Sequence, residues 1–381
     1  MIPRTFLHTR VTLLAVLGLF LVISLSSCAA YYDYVCWYFG SKGACLYQYK
    51  DPRTLLLGQV PPSPENPQSR EKEELGKMLF FDPRLSKNLS ISCESCHATA
   101  HAFSDPRQFS RGQYDQKGDR NAPSVLNAGH HDPQFWDGRA KDLEDQALRP
   151  IQDKKEMADS LRAVVEKLAD VEEYKKRFAD VFQVTIKEKG MSDQEIEKAS
   201  LSIARAIAAF ERTLDSNNSA FDKWIKDEGD LSKQARRGWV VAKNNKCLVC
   251  HTPPRYTDTL FHNIGVTDTS EGKAGRSKVT NNPLHFGQFK TPTLRSVELT
   301  APYMHSGQFR TLEEVVDFYS KGGGPVSSPG IKDPQIEPLD LSDTDQSYLV
   351  EFLKSLTGQA LSIIPPTLPE WSPAGAAQKG Q

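Results

Sequence analysis

Two pentapeptides carry the residue types best suited to chemistry: Cys93-Glu94-Ser95-Cys96-His97 and, 154 residues further on, Cys247-Leu248-Val249-Cys250-His251. In each, two thiols three positions apart are followed at once by an imidazole. This spacing suits thiols that add to the vinyl groups of a haem while the adjacent histidine bonds the iron from one side. A zinc site would need four ligands and a second cysteine pair nearby, whereas here each pair has its own histidine. His97 and His251 are therefore the expected proximal ligands. What stands on the opposite face of each iron decides between an electron carrier and an enzyme.

The remaining cysteines agree with a life outside the cytoplasm, where c-type haems are attached. Arg4 and Arg10 precede a 15-residue apolar run, Val11 to Leu25, too short to span a bilayer and placed as an export signal over residues 1–27. Leu25-Ser26-Ser27-Cys28 resembles the lipobox of bacterial lipoproteins, so Cys28 is the expected lipidated residue. Cys36 and Cys45 remain as a pair, with a disulfide expected in an oxidising compartment. No thiol is left for nucleophilic catalysis. Losing residues 1–27 removes two arginines and no acid, which moves the formal charge from −1 to −3; nothing in that balance suggests nucleic acid. Ala29 follows Cys28, where an aspartate would retain some lipoproteins at the inner membrane, a hint toward the outer one.

The elements that must position these residues read as mostly helical. Residues 28–69 are an aromatic tether ending in PPSPENPQ, a linker composition. Residues 70–228 hold the first haem motif and two periodic stretches, around Met157 to Lys189 and Ser192 to Leu214, with apolar residues at three- and four-residue spacing. Residues 229–364 contain a periodic run, Leu231 to Lys246, that leads directly into Cys247. There Thr311 with Glu314 signals a capping box, and a Leu349 to Leu356 pattern stops at Gly358. Residues 365–381 form a proline- and alanine-rich tail. With strand signals scarce and one haem motif per half, the expected architecture is mainly α: two cytochrome c-like haem domains with long loops, derived from an internal duplication.

Further segments carry a resemblance. SCESCH, RNAPSVLNA (120–128), FWDGRAKDLEDQALRPI (135–151), FHNIGV (261–266), FKTPTLRSVELTAPYMHSG (289–307) and TLEEVVDFY (311–319) together resemble the bacterial dihaem cytochrome c peroxidase/MauG family, over roughly residues 70 to 360. The resemblance implies an amino-terminal haem that reacts with hydrogen peroxide and a carboxy-terminal haem that stores and relays electrons. It places the tryptophan between them at Trp136, and the distal glutamine and glutamate at Gln146 and Glu156. A glutamate suits that place because splitting peroxide needs a base that moves a proton from one oxygen to the other. The family's calcium site, built from oxygen donors, maps to Asn121, Thr300 and Pro302.

Two departures select a branch of the family. Where reductively activated members carry a histidine that caps the peroxidatic haem, the corresponding residue is Gln113, a poor iron ligand. The first haem is therefore expected to be open. His101 and Tyr114 are weaker substitutes, and His130 and His131 are expected at the surface or behind the site. Where those members place a methionine as the sixth ligand of the second haem, this chain has Tyr319, as in the MauG branch; Met304 is the rival. A phenolate favours oxidised iron where methionine raises the potential. His262, His305, Lys290 and Arg295 are possible propionate or supporting partners.

The surface tryptophan through which MauG draws electrons from its protein substrate is replaced by Asn245, and Trp239 is a poor stand-in. Quinone maturation is thereby disfavoured. The electron donor is undefined, with a small cytochrome or cupredoxin as options. The alternatives are a peroxidase that must first be reduced and a lipid-anchored carrier without catalysis.

Overall fold

A computed structural model describes residues 35–36, 42–46, 48–268 and 270–370. The export signal, Cys28 and the tail beyond residue 370 lie outside the described residues. Helices dominate, and the one sheet among the described residues is the antiparallel pairing of β1 (Phe261–His262) with β2 (Phe289–Lys290). Among the described residues no helix is long and apolar enough to cross a membrane.

The amino-terminal half is built on α1 (Arg70–Phe81), α2 (Leu143–Gln152), α3 (Leu161–Ala169), α4 (Glu172–Phe182) and α5 (Asp193–Glu211). The single periodic stretch expected over 157–189 is thus two helices, broken at Asp170 and Val171, with Ser160 rather than an earlier residue capping α3. Ser192 and Glu195 form a reciprocal capping box that starts α5 and satisfies two backbone donors. α5 packs on α1 and α2, and Leu75, Leu79, Phe80, Ile203, Ile207 and Phe210 are buried between them.

The carboxy-terminal half uses α7 (Lys233–Asn244), α8 (Cys247–Cys250), α9 (Leu312–Ser320) and α10 (Asp343–Ser355), and α6 (Ala220–Ile225), expected with residues 70–228, joins it because Phe221, Trp224 and Ile225 are buried in its core. The Thr311/Glu314 capping box at the start of α9 is formed. A second core gathers Phe221, Trp239, Tyr256, Phe352 and the Cys36–Cys45 disulfide, so the tether contributes to the packing of this half.

The two halves share one device. A Cβ placed on Gly76 of α1 would lie 1.8 Å from the Ala206 carbonyl of α5, and one on Gly238 of α7 would lie 1.9 Å from the Tyr348 carbonyl of α10. In each half a helix pair touches backbone to backbone, which only glycine permits. The helix in front of each haem motif, or packed against it, is fixed by that contact.

Candidate functional site

Each Cys-x-x-Cys-His segment winds into a single turn, so that its histidine lies over its first cysteine. The His97 N–H donates to the Cys93 carbonyl at 2.9 Å and the His251 N–H to the Cys247 carbonyl at 3.0 Å. His97 Nδ1 sits 3.2 Å from the Phe103 carbonyl and 3.1 Å from the Pro123 carbonyl, and His251 Nδ1 sits 3.1 Å from the Tyr256 carbonyl. A carbonyl on Nδ1 fixes the tautomer and turns Nε2 toward a metal. Cys93, Cys96, Cys247 and Cys250 are free and half-buried, and burial pushes the Cys96 and Cys247 thiols up to about 11. The donor set fits a covalently attached haem in each half. It does not fit zinc: among the described residues, the one cluster of three possible ligand atoms joins Cys250 to Asp258 and His262 and leaves Cys247 out. His262 is in any case clamped between Asp333 at 2.6 Å and Asp258 at 3.0 Å.

Above the first motif, a loop and a turn meet. The Gln113 N–H donates to the Glu156 carbonyl at 2.8 Å, and a Cβ on Gly112 would lie 2.1 Å from the Lys155 carbonyl, so glycine lets the loop close onto the turn. The Gln113 side chain is fully buried, reaches Ser90 Oγ only at 3.4 Å and leaves Oε1 without a partner. Burial pushes the Glu156 carboxyl up to about 7; Asp153 adds to the shift and Arg139 opposes it. The charge of Glu156 reaches both Cys93 and Cys96. A carboxyl near neutrality facing the attachment turn can take up and return a proton at working pH. Gln146 stands on α2, and Glu156 follows in the turn between α2 and α3.

Trp136 ties the halves together. Its Nε1–H donates to the Asn121 carbonyl at 2.9 Å, its own carbonyl accepts from the Lys290 N–H at 2.7 Å, and its ring meets His305 edge-on at 6.3 Å. The Asn121 N–H in turn donates to the His305 carbonyl at 2.8 Å. At the second motif, Tyr319 lies where both Cys247 and Cys250 act on its phenol, and burial raises that phenol well above its ordinary range.

A family model for the di-haem cytochrome c peroxidases matches residues 70–230. The chain is 39% identical over 309 residues to cytochrome c551 peroxidase of Nitrosomonas europaea, covering 79% of this chain and 85% of that one. This chain belongs to the dihaem cytochrome c peroxidase/MauG family. The methylamine utilization protein MauG of Methylophilus methylotrophus is 37% identical, over 82% of this chain and 90% of its own. Among solved structures, a MauG-like protein associated with microbial copper homeostasis superposes with a TM-score of 0.70 at 32% identity, over 82% of this chain and 95% of that one. The diheme peroxidase BthA from Burkholderia thailandensis shares the fold with a TM-score of 0.66 at 23% identity, covering 84% and 93%. As a member of this family the chain is a peroxidase oxidoreductase with two c-type haems.

Within this dihaem peroxidase several residues stand otherwise than their types suggest. His101 and Tyr114 are exposed, Tyr114 at 67%. His130 is buried against Asp215 at 3.1 Å rather than at the surface. Both ring nitrogens of His131 are buried without a partner, and burial beside Lys290 and Arg255 holds it neutral. Arg295 is not available to a propionate: its guanidinium spans both carboxylate oxygens of buried Asp222 at 2.9 and 3.2 Å and donates to the Pro254 carbonyl at 2.7 Å. Lys290 is buried, reaches the Pro133 carbonyl at 2.6 Å and has its amine pushed down to about 8 by that burial. His305 stacks on Phe289 at 3.4 Å and lies 3.3 Å from Asp268.

One group escaped the reading of the sequence altogether. Glu211, in the last turn of α5, is 5% exposed, has Oε2 unpartnered, and its carboxyl is pushed up to about 8 by burial. The signal was present, since an acid at a helix carboxyl end opposes the dipole that favours cations there.

Proposed function

We propose that this protein reduces hydrogen peroxide at an amino-terminal haem that is open without prior reduction, and that a carboxy-terminal haem with histidine and tyrosine ligands shares the oxidising equivalents. Cys93, Cys96 and His97 hold the first haem; Cys247, Cys250, His251 and Tyr319 hold the second. When bound, the first haem supplies an iron that accepts peroxide and two oxidising equivalents from it.

The observation that carries the reading is the pairing of buried Gln113 with sheltered Glu156 above the first attachment turn. No imidazole stands at this position of the loop: the residue there is Gln113, whose backbone is tied to the Glu156 carbonyl and whose buried amide approaches Ser90 Oγ at 3.4 Å. Gln146 orients peroxide through its amide. Glu156 takes a proton from one peroxide oxygen and returns it to the other, which leaves as water. Two further electrons and two protons complete the reduction to two waters. Trp136, hydrogen-bonded to one half and meeting His305 of the other edge-on, lies on the path between the sites.

Asn121, Thr300 and Pro302 are read as a calcium site; the bond from Asn121 to the His305 carbonyl, which fastens it to the 300–305 loop, supports their proximity. The protein is read as periplasmic and lipid-anchored through Cys28, in the outer membrane, taking electrons from a small redox protein.

Mixing the as-isolated ferric protein with one equivalent of peroxide tests the reading. An immediate spectral change and turnover with a one-electron donor are expected. Reaction only after partial reduction would move the protein to the reductively activated type, and no reaction in either state would make it a carrier.

A further inference from the structure

Behind the second haem motif, a chain of aromatic rings runs from Tyr256, whose backbone carbonyl holds the proximal histidine, to a cleft formed in part by the tether. The Tyr256 carbonyl holds His251 Nδ1 at 3.1 Å. The Tyr256 ring lies 6.3 Å from Phe221 and 6.1 Å from Phe352, and these lie 5.1 and 5.5 Å from Trp239. Trp239 in turn lies 6.1 Å from Tyr49. Tyr49 is half-exposed on the wall of an open cleft of about 620 Å³, with Lys42, Arg53 and Asp227 on the same wall.

We propose that Trp239 and Tyr49 are one-electron stations by which electrons enter from the tether face and reach the His251 haem. The proposal rests on the peroxidase reading, which supplies the oxidant, and it names a small one-electron donor as the reductant.

The chemistry of each ring assigns its part. Trp239 is fully buried, and its Nε1–H donates to the Cys45 carbonyl at 3.3 Å. An indole can lose an electron and keep its proton as a radical cation, so it needs no base. Tyr256 is different. Its hydroxyl is buried without a partner, and the Arg295 guanidinium lies 5.5 Å from its ring. Losing an electron there would strand a proton beside a cation, so Tyr256 and the two phenylalanines fill the gap without being oxidised. Tyr49 borders the cleft, so its phenolic proton can pass to water.

The electron sequence balances. The oxidised second site takes one electron from Trp239, Trp239 takes one from Tyr49 as that phenol releases its proton, and Tyr49 regains both from the external donor and water. Two passages supply the two electrons that one peroxide requires. The Cys36–Cys45 disulfide, by holding the Cys45 carbonyl on the indole, makes the tether part of the route.

The test injects the oxidising equivalent from outside and uses no peroxide. A ruthenium photo-oxidant is attached to a cysteine at exposed position 50 (Lys50→Cys) in the chemically reduced holoprotein, and oxidation of the second haem after a flash is timed by absorbance. Trp239→Phe is expected to slow it by about tenfold or more, a barrier change of roughly 1.4 kcal/mol. Tyr49→Phe, at the half-exposed end, is expected to do the same and serves where the buried substitution costs folding.

Rates unchanged in folded, fully haem-loaded variants would overturn the proposal. In parallel, the unlabelled ferric protein given peroxide without donor is expected to show a tryptophan or tyrosyl radical by freeze-quench electron paramagnetic resonance, and the variants to lose it. A wild-type protein that ignored peroxide would sink the peroxidase reading, while the flash rates would still decide the route.

Discussion

The backbone N–H of Gln113 donates to the carbonyl of Glu156 at 2.8 Å. This backbone bond joins the loop that carries Gln113, a poor iron ligand, to the turn that carries Glu156, whose carboxyl is pushed up to about 7 and whose charge reaches Cys93 and Cys96.

Replacing Glu156 by Gln removes the proton carrier and keeps the shape. The rate of reaction with peroxide is expected to fall by about 10² to 10⁴, with haem content unchanged. The wild-type rate should rise as pH passes through about 7, where Glu156 becomes the base, and this limb should vanish in Glu156→Gln. Stopped-flow kinetics between pH 5 and 9 reads both.

Tyr319→Met substitutes a thioether for the phenol beside Cys247 and Cys250. The reduction potential of the second haem is expected to rise by an appreciable part of the roughly 0.8 V that axial ligands command. Spectroelectrochemical titration of variant and wild type gives the difference, and equal potentials would remove Tyr319 from the iron.

Buried Glu211 makes stability depend on pH. Its folded pKa is raised to about 8, so as pH climbs from the ordinary glutamate range to about 8 the unfolded chain releases a proton that the folded chain keeps. Stability falls across that window. Glu211→Gln removes the slope, and its melting temperature should overtake that of the wild type as pH rises.

The tightest structural contacts carry sharper costs. Asp222→Asn leaves the Arg295 guanidinium buried without its counter-charge and is expected to cost about 3–5 kcal/mol. Gly238→Ala forces α7 from α10 and is expected to cost roughly 1–3 kcal/mol, as overpacking does elsewhere. Denaturant unfolding of the holoprotein measures both.

Much of this was legible in the sequence, and the reasons differ by element. The haem turns could be read because their chemistry is local: five consecutive residues carry both anchors and the ligand. α5 and α7 could be read because their periodicity is local, and α9 because its capping box is local too. α1 and α2 were not singled out, since α1 draws its place from a backbone contact at Gly76 and α2 carries Pro150.

Arg295 and Asp222 lie 73 positions apart, and no spacing rule predicts that they neutralise each other. Trp136 was placed by the FWDGR resemblance, yet its hydrogen bond to the Asn121 carbonyl is a tertiary fact. His130 looks like a surface residue in a polar loop until Asp215 closes over it.

The spin states of the two ferric haems in the as-isolated protein test the central claim most directly. Electron paramagnetic resonance should show one high-spin iron, from the open His97 site, beside one low-spin iron, from the His251/Tyr319 site. Two low-spin signals would mean that a protein side chain caps the first iron, and the account of an open peroxide site would be contradicted.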